Sequence, residues 1–310
     1  MKIALMCSGQ GAQAAGMGKS LYEQYPVCRQ TFDAADEALG VSLSALCFEG
    51  GDELNGTEYA QPAILTHSIA AFRLLQENGI VPAYAAGLSL GEYSALTAAG
   101  VFAFEDAVRL VRKRGRFMAE AAPAGTGAMS AILGLDNLLA EQACADASAA
   151  DSYVVCANYN APGQIVISGA VAAVERAEQR CLALGAKRAV RLQVSGPFHS
   201  SYMQPAAERL KPELDKIAVL PFAFPVVTNV TAEVVPSTEA VRPILLEQIK
   251  GAVRWAQSVE TLVSLGVDTF IEIGPGKTLC AFAKKIAKDA TVLNVEDVQS
   301  FEKTMAHLRG

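Results

Sequence analysis

Apolar positions along the chain follow two alternating patterns, which together predict an α/β architecture. Short continuous apolar runs are typical of buried strands, and longer stretches with apolar residues every three to four positions are typical of amphipathic helices. The strand pattern covers residues 2–7, 81–86, 224–229 and 269–273. The helical pattern covers residues 17–25, 28–39, 61–77, 92–99, 104–121, 203–217 and 241–249, a further helix that closes at residues 262–266, and a terminal helix from Leu279.

The middle of the chain shows a different order of elements. The pattern is strand, helix, strand, strand, helix, strand, which is the order of the ferredoxin-like motif. The strands are expected at residues 128–133, 153–159, 164–168 and 187–194, and the helices at residues 136–147 and 171–184. We therefore expect a ferredoxin-like small subdomain of residues 127–195, inserted into a larger α/β subdomain made of residues 1–126 and 196–310.

Composition fits a compact enzyme and argues against several other classes of protein. Hydrophobic residues make up 51% of the 310 residues, charged residues make up 19%, and the net charge of -6 argues against a nucleic-acid partner. No apolar run is long enough to span a bilayer, and the first is too short for a signal peptide, so we expect no membrane partner. The 7 cysteines include no C-x-x-C pair and lie mostly in apolar runs, which predicts reduced thiols in a cytoplasmic protein. No cluster has the spacing of metal ligands, so we expect no metal.

The candidate chemistry begins at residues 87–91, which read Gly-Leu-Ser-Leu-Gly. This is the G-x-S-x-G pattern of a nucleophile elbow, a sharp turn between a strand and a helix that holds a serine hydroxyl at its tip. The flanking sequence supplies a strand pattern before the turn and a helical pattern after it, as that motif requires. Ser89 is therefore the candidate nucleophile, and the alternative is an ordinary strand-to-helix turn that contains a serine by chance.

A serine nucleophile needs a base, and the chain offers 3 histidines. His67 lies within an apolar helix and is expected to be a packed core residue, and His307 lies on an expected surface helix near the C-terminus. His199 follows a turn-rich segment just after the expected insertion, where sites tend to form. We therefore favour His199 as the base over the alternative that it is an inert loop residue.

Further motifs surround these two residues along nearly the whole chain. They are residues 9–13 (GQGAQ), 87–96 (GLSLGEYSAL), 125–129 (GTGAM), 158–164 (NYNAPGQ), 196–199 (GPFH), 252–255 (AVRW) and 272–277 (EIGPGK), with Arg114-Gly115 and Met118. In this order the motifs resemble those of the malonyl-CoA:acyl carrier protein transacylases of fatty acid synthesis. That family has an α/β-hydrolase-like core with a ferredoxin-like insert, which agrees with the pattern of elements expected above.

The resemblance implies a role for each matching residue of the reaction centre. Ser89 would carry the acyl group and His199 would be its base. The backbone N–H groups of Gln10 and Leu90 would form the oxyanion hole. The backbone carbonyl of Gln248, a residue expected in the substrate-binding site, would orient the histidine. A Ser-His pair of this kind transfers the acyl group by ping-pong chemistry, and we expect no third catalytic carboxylate.

The resemblance also implies residues that recognise the substrate. Arg114 would anchor the free carboxylate of a malonyl group, since a guanidinium offers that group two parallel N–H donors. The alternative is a solvated arginine, because Arg114 lies in a basic run on one helix. Asn160 would line the cleft from the small subdomain, and Phe198 would favour malonyl over branched acyl groups or would simply pack in the core. Leu88 departs from the family pattern, which commonly has histidine before the nucleophile, and this departure bears on substrate preference.

The expected partners are malonyl-CoA as substrate and an acyl carrier protein, whose phosphopantetheine thiol accepts the acyl group, and no bound cofactor is expected. Acyl carrier proteins are acidic, so docking needs a local basic patch on this acidic chain. The two candidates are Lys187, Arg188 and Arg191, and Lys284, Lys285 and Lys288. A hydrolase with the same Ser-His pair, an acyltransferase of polyketide synthesis and a non-catalytic carrier-binding module remain as alternatives to the transferase of fatty acid synthesis.

Overall fold

The computed structural model describes residues 1–123, 125–194 and 196–310, and these residues form two separate sheets with helices packed around them. The strands are β1 (Ile3–Cys7), β2 (Tyr84–Gly87), β3 (Gly127–Leu133), β4 (Val154–Ala161), β5 (Gln164–Ala170), β6 (Arg188–Arg191), β7 (Val226–Val227), β8 (Thr269–Ile273) and β9 (Thr291–Val295). The helices are α1 (Lys19–Gln24), α2 (Pro26–Leu39), α3 (Leu43–Glu49), α4 (Asp52–Asn55), α5 (Thr57–Glu77), α6 (Leu90–Ala98), α7 (Phe104–Glu120), α8 (Asn137–Ala147), α9 (Val171–Ala183), α10 (Gln204–Asp215), α11 (Thr238–Lys250), α12 (Trp255–Ser264), α13 (Thr278–Ile286) and α14 (Val298–Arg309). The predicted α/β class is therefore confirmed.

The larger sheet has five strands in the order β7-β2-β1-β8-β9, and its paired strands all run parallel. β1 is completely buried from Ala4 to Cys7, and both of its neighbours pair with it along their length. Strands covered on both faces read as continuous apolar runs, which is why residues 2–7 were recognisable in the sequence. In such a sheet the carboxyl ends of the strands meet at one edge, and the turn after β2 opens there.

The smaller sheet has the strand order β4-β5-β3-β6, and its paired strands run antiparallel. With α8 and α9 it follows the chain order predicted for a ferredoxin-like unit, and a separate apolar core lies between this sheet and the two helices. The limits of the two subdomains stay a prediction, and the expected end at Ser195 lies outside the described residues. All 7 cysteines are buried and none is in a disulfide.

The C-terminal prediction was wrong. In place of one terminal helix from Leu279, the chain forms α13, then the edge strand β9, then α14. β9 is missed because it is short and four of its five residues are only half-buried, so its apolar pattern is weak. Lys284 and Lys285 consequently lie on α13, which is not the last helix of the chain.

Several elements are also shorter than the sequence pattern indicated. β2 begins only at Tyr84, β7 is reduced to Val226–Val227, and β6 ends at Arg191. Pro82 precedes β2 and cannot donate to a ladder, which shortens that strand. Among the described residues, no helix combines the length and the apolar character needed to cross a membrane.

Helix α5 is buried along most of its length, and its backbone fixes the position of α7. An added Cβ at Gly115 of α7 would lie 2.2 Å from the carbonyl oxygen of Thr57, so only glycine allows the two helices to approach this closely. Gly115 is thus explained by helix packing. The approach buries the neighbouring Arg114, which is only 1% exposed.

Candidate active site

The turn after β2 has the geometry of a nucleophile elbow. Ser89 lies between β2 and α6 with φ 54° and ψ -103°, a conformation that costs about 1–3 kcal/mol for a residue with a side chain. An added Cβ at Gly87 would lie 2.0 Å from the carbonyl group of Gly91, and one at Gly91 would lie 2.1 Å from the carbonyl oxygen of Cys7. The two glycines are therefore required by backbone that approaches from both sides of the turn.

Asn229, which follows β7, stabilises the turn of the elbow through two hydrogen bonds of its side chain. Its side-chain Oδ1 accepts a hydrogen bond from the Ser89 N–H at 2.7 Å, and its Nδ2 donates to the Gly87 carbonyl at 2.7 Å. One amide thus bridges the two ends of the strained turn. Because the Ser89 N–H is engaged here, an oxyanion hole must be built from other donors.

Ser89 and His199 meet directly. The Ser89 Oγ lies 2.7 Å from His199 Nε2, and the Nδ1 of the same ring lies 2.9 Å from the Gln248 carbonyl oxygen and 3.2 Å from that of Gly251. Carbonyl oxygens only accept, so Nδ1 carries the ring proton and Nε2 is left to accept from the serine hydroxyl. His199 itself has a positive φ of 57°, which turns its ring toward the elbow.

Burial and the charge of Arg114 keep the imidazole neutral. Burial first, and then the nearby guanidinium, lower the pKa of His199 to about 4, although the two carbonyls oppose the shift. At neutral pH the ring is therefore unprotonated and able to accept a proton. His199 is 4% exposed, so this chemistry is shielded from bulk water.

Arg114 projects from α7 into the same centre. Its Nη1 donates to Gln61 Oε1 at 2.7 Å, and its Nη2 donates to Gln248 Oε1 at 3.0 Å and to Ser89 Oγ at 3.3 Å. The guanidinium also lies over the Tyr93 ring, 5.0 Å from its centroid. Within the described part of the chain no carboxylate forms an ion pair with Arg114. The buried cation is thus held by neutral groups beside the hydroxyl.

The other cations of α7 behave differently from Arg114. Each of them lies on the outer side of the helix and is half-buried or exposed. Three have acidic partners, in the pairs Arg109 with Asp106, Arg112 with Glu58, and Lys113 with Glu213. The basic run seen in the sequence therefore separates into solvated residues and one buried residue, and Arg114 is the buried one.

Gln248, which the resemblance placed among the substrate-binding residues, connects the base and the cation. Its Nε2 donates to the Ser89 carbonyl at 2.8 Å and to Glu92 Oε2 at 3.0 Å, while its Oε1 accepts from Arg114. Its backbone carbonyl is the one that faces His199 Nδ1. Gln248 is completely buried, so these contacts are not shared with water.

The expected oxyanion donors lie at the mouth of the elbow. Leu90 is the first residue of α6, where N–H groups have no acceptor within the helix and the helix dipole favours negative charge. Gln10 lines the cleft above Ser89, and its side chain donates to Thr57 Oγ1 at 3.1 Å. Among the hydrogen bonds of residues 1–123, 125–194 and 196–310, neither backbone N–H is a donor. Both are therefore available to a developing oxyanion.

A cleft of about 220 Å³ opens over Ser89 and His199. Leu88 and Phe198 line it from the larger part of the chain, and Asn160 lines it from β4. Phe198 is also part of the main apolar core, so the two interpretations of this residue are both compatible with its position. Asn160 is 8% exposed and its Oδ1 has no partner among the described residues, which leaves an acceptor at the cleft wall.

Comparison with known proteins agrees with this geometry. Residues 5–304 match the family model described as the acyl transferase domain. A malonyl CoA-acyl carrier protein transacylase of Bacillus subtilis (strain 168) is 48% identical over 309 residues, which cover 99% of this chain and 98% of the relative.

Solved structures of similar proteins agree with the sequence comparison. A malonyl CoA-acyl carrier protein transacylase of Clostridium perfringens superimposes with a TM-score of 0.96 at 44% identity, covering 100% of this chain and 98% of the other. A malonyl-transacylase solved in complex with its type II PKS acyl-carrier protein also gives a TM-score of 0.96 at 44% identity, covering 99% and 100%. The chain belongs to the malonyl-CoA:acyl carrier protein transacylase family. It is therefore an acyltransferase.

The sequence analysis assigned no role to three buried polar residues of this transacylase, Gln61, Glu92 and Asn229, although Glu92 falls within the motif at residues 87–96. Each supports a residue that the motifs did identify, and each lies far along the chain from the residue it supports. The available signal was a polar residue at a position that the apolar pattern assigns to the core, as with Glu92 in α6. Such a signal marks a buried polar group without naming its partner.

The two basic patches of the transacylase differ in how their charges are used. Arg191 forms a bidentate ion pair with Glu178, with both N–O distances 3.0 Å, so its charge is partly neutralised. Lys285 donates to Gln164 Oε1 at 3.1 Å, while Lys284 and Lys288 are exposed. α13, which carries Lys284 and Lys285, also lines the cleft through Thr278 and Phe282.

Proposed function

We propose that this transacylase moves a malonyl group from malonyl-CoA to the phosphopantetheine thiol of an acyl carrier protein, through an ester on Ser89. The observation that carries the proposal is the contact of Ser89 Oγ with the unprotonated Nε2 of His199, next to a buried arginine that forms no ion pair with any carboxylate of the described residues. The Ser89–His199 pair supplies a nucleophile, and Arg114 supplies a site for an acyl group that ends in a carboxylate.

In the first half-reaction Ser89 Oγ attacks the thioester carbonyl and its proton passes to His199 Nε2. A C–O bond forms as the carbonyl oxygen becomes an oxyanion, which the N–H groups of Gln10 and Leu90 stabilise. Loss of one such donor typically costs about 10²–10³ in turnover. The C–S bond then breaks, and His199 returns the proton to the departing CoA sulfur.

In the second half-reaction the same steps run with a different thiol. The phosphopantetheine thiol gives its proton to His199 Nε2 and attacks the Ser89 ester, and the C–O bond breaks as the serine recovers the proton. The Nδ1 contacts to the Gln248 and Gly251 carbonyls hold the ring in one tautomer throughout both steps. A thioester is reactive enough that backbone carbonyls replace the buried carboxylate of a serine-protease triad.

Arg114 would bind the malonyl carboxylate. The site already positions its Nη2 3.3 Å from Ser89 Oγ, so the guanidinium lies within reach of an acyl group attached to that oxygen. An Arg–carboxylate pair that is shielded from water is strong and geometrically selective. We propose that Asn160 and Phe198 shape the cleft around the acyl chain and that Leu88 contributes an apolar wall.

Two further assignments belong to this proposal. The apolar core between the smaller sheet and its two helices supports a division into a large subdomain of residues 1–126 and 196–310 and a small subdomain of residues 127–195, although Met129, Ala157 and Val166 join the main core. Seven buried thiols fit a reducing compartment, which supports a cytoplasmic location.

The test is mass spectrometry of the enzyme after brief exposure to malonyl-CoA without carrier protein. We expect a malonyl adduct on Ser89 that persists until holo acyl carrier protein is added and then transfers to it. Rapid release of free malonate in water alone would instead favour the hydrolase.

Ser89→Ala is the matched control for this measurement, since it removes one oxygen from a site that is otherwise intact. It should give no adduct. An adduct that survives in Ser89→Ala, or no adduct in the wild type, would contradict the proposed intermediate.

A further inference from the structure

Glu92 lies beneath the site as a buried carboxylate with two donors on one oxygen. It is 1% exposed, and its Oε2 accepts from the Asn229 backbone N–H at 2.9 Å and from Gln248 Nε2 at 3.0 Å. Oε2 therefore supports both Asn229, whose side chain bridges the elbow, and Gln248, whose amide faces Arg114. Oε1 is buried and has no hydrogen-bond partner among the described residues.

The hydrogen bonds of Gln248 fix the direction in which its amide points. The Ser89 carbonyl and Glu92 Oε2 both accept, so the NH₂ group must face them. The amide oxygen is then turned toward Arg114 Nη2, which donates to it at 3.0 Å. Glu92 and Arg114 are thus linked by two hydrogen bonds through the side-chain amide of Gln248.

We propose that Glu92 is a positioning residue whose charge sets how strongly Arg114 attracts the carboxylate of an acyl group. This inference rests on the proposed function, in which Arg114 binds the malonyl carboxylate. Arg114 favours the ionised form of Glu92 and Glu92 favours the charged form of Arg114, and a substrate carboxylate brings a second negative charge to the same cation. An ionised Glu92 therefore weakens the attraction for malonyl, and a protonated Glu92 permits it fully.

The surroundings of Glu92 allow it to change charge near neutral pH. Burial raises the pKa of Glu92 to about 7, although the Asn229 N–H, the Gln248 amide and Arg114 favour the ionised form. The other titratable groups are Tyr93, whose pKa burial raises to about 12, and His199, whose pKa is lowered to about 4. Neither changes charge between pH 6 and 8.5, and arginine remains protonated throughout.

Glu92→Gln tests the role of the charge because it keeps the shape and one acceptor oxygen. The measurement is kcat/KM for malonyl-CoA divided by kcat/KM for acetyl-CoA, taken from pH 6 to 8.5. Acetyl-CoA has no carboxylate, so the quotient cancels effects on Ser89 and His199. We expect the wild-type quotient to fall by about 3- to 10-fold as Glu92 ionises, and the Glu92→Gln quotient to stay flat.

Glu272→Gln is the matched control, because Glu272 is equally buried and accepts from Leu279 N–H, Cys280 N–H and Ser8. It should alter stability while the quotient keeps its wild-type dependence on pH. A wild-type quotient that is flat with pH, or a Glu92→Gln quotient that still falls, would overturn the role of Glu92. Wild type that forms no malonyl-Ser89 would instead refute the proposed function.

A second measurement needs only the wild-type enzyme, in case Glu92→Gln does not fold. Acylation of Ser89 releases CoA with its thiol protonated, so the reaction itself changes the proton count very little at pH 7. Malonyl loading should nevertheless take up a fraction of a proton per site, largest near the pKa of the free-enzyme Glu92, because the arriving carboxylate raises that pKa. Stopped-flow absorbance of a pH indicator measures this uptake, and its absence would refute the proposal.

Discussion

At the scale of single residues, the site depends on backbone conformations that side chains rarely adopt. Among the described residues that are not glycine, a positive φ occurs at Ser89, His199 and Ala232. Two of these are the proposed nucleophile and base. Such strain persists only where surrounding contacts enforce it. Here the Asn229 side chain holds the Ser89 N–H, and the Gln248 carbonyl oxygen accepts a hydrogen bond from His199 Nδ1.

Arg114 gives the residue-scale prediction. Arg114→Ala should lower kcat/KM for malonyl-CoA by about 10²-fold or more, because a charge-assisted pair shielded from water is lost, while acetyl transfer is kept or increased. Steady-state kinetics with both thioesters measure the difference. Arg116→Ala, on the exposed side of the same helix, is the control and should leave both rates near wild type. Equal losses of malonyl and acetyl transfer in Arg114→Ala would rule out the anchoring role.

At the scale of elements, the strand–elbow–helix unit was the part of the fold most open to prediction. Its apolar strand, its paired glycines and its helical continuation are local features, and local features are what a sequence pattern contains. The contacts that complete the site are not local. Asn229 reaches Ser89 from 140 positions away, and Gln248 reaches Glu92 from 156 positions away, so no spacing rule connects them.

The same reasoning explains which elements were missed. β9 is a half-buried edge strand, and neither its length nor its pattern distinguishes it from a loop. The short helices α3 and α4 lack enough turns to show a period. The order of the larger sheet, in which β8 pairs with β1 across more than half of the chain, is set by packing that no single segment encodes.

Gly91 gives the element-scale prediction. In Gly91→Ala the new methyl group would meet the Cys7 carbonyl oxygen at 2.1 Å, so β1 and α6 must separate and the elbow must open. We expect acylation of Ser89 to fall by at least about 10²-fold, because a displacement of about 1 Å is enough for such a loss. Rapid-quench mass spectrometry of the malonyl adduct gives the rate.

Gly100→Ala is the control, because an added Cβ at Gly100 meets nothing within 4 Å, although Gly100, unlike Gly91, has a positive φ. It should cost about 1–2 kcal/mol of stability and leave acylation intact. If Gly91→Ala acylated at the wild-type rate, the close approach of the strand and the helix would not be required.

At the scale of the whole molecule, the question is how a chain with a net charge of -6 receives an acidic carrier protein. α13 is the better placed of the two basic patches. It lines the cleft through Thr278 and Phe282, and Lys285 extends to Gln164 of the small sheet. A carrier protein bound there would contact both parts of the chain next to the cleft.

Charge reversal tests this surface. The double variant Lys284→Glu and Lys285→Glu should raise KM for holo acyl carrier protein by about 10-fold, with the effect shrinking at high salt because exposed charges are screened. The rate of Ser89 acylation by malonyl-CoA alone should not change. Lys19→Glu with Lys303→Glu, which makes the same change of charge on α1 and α14, should leave both quantities near wild type. An unchanged carrier-protein KM in the α13 variant would dismiss this surface.

The Asn229 clamp also determines when the chain becomes reactive during its synthesis. The elbow glycines and Ser89 leave the ribosome long before Asn229, and Gln248 follows later still. Until both have emerged, nothing engages the Ser89 amide and nothing orients the imidazole of His199. We therefore expect a chain that ends before Gln248 to carry an inert hydroxyl and to consume no thioester.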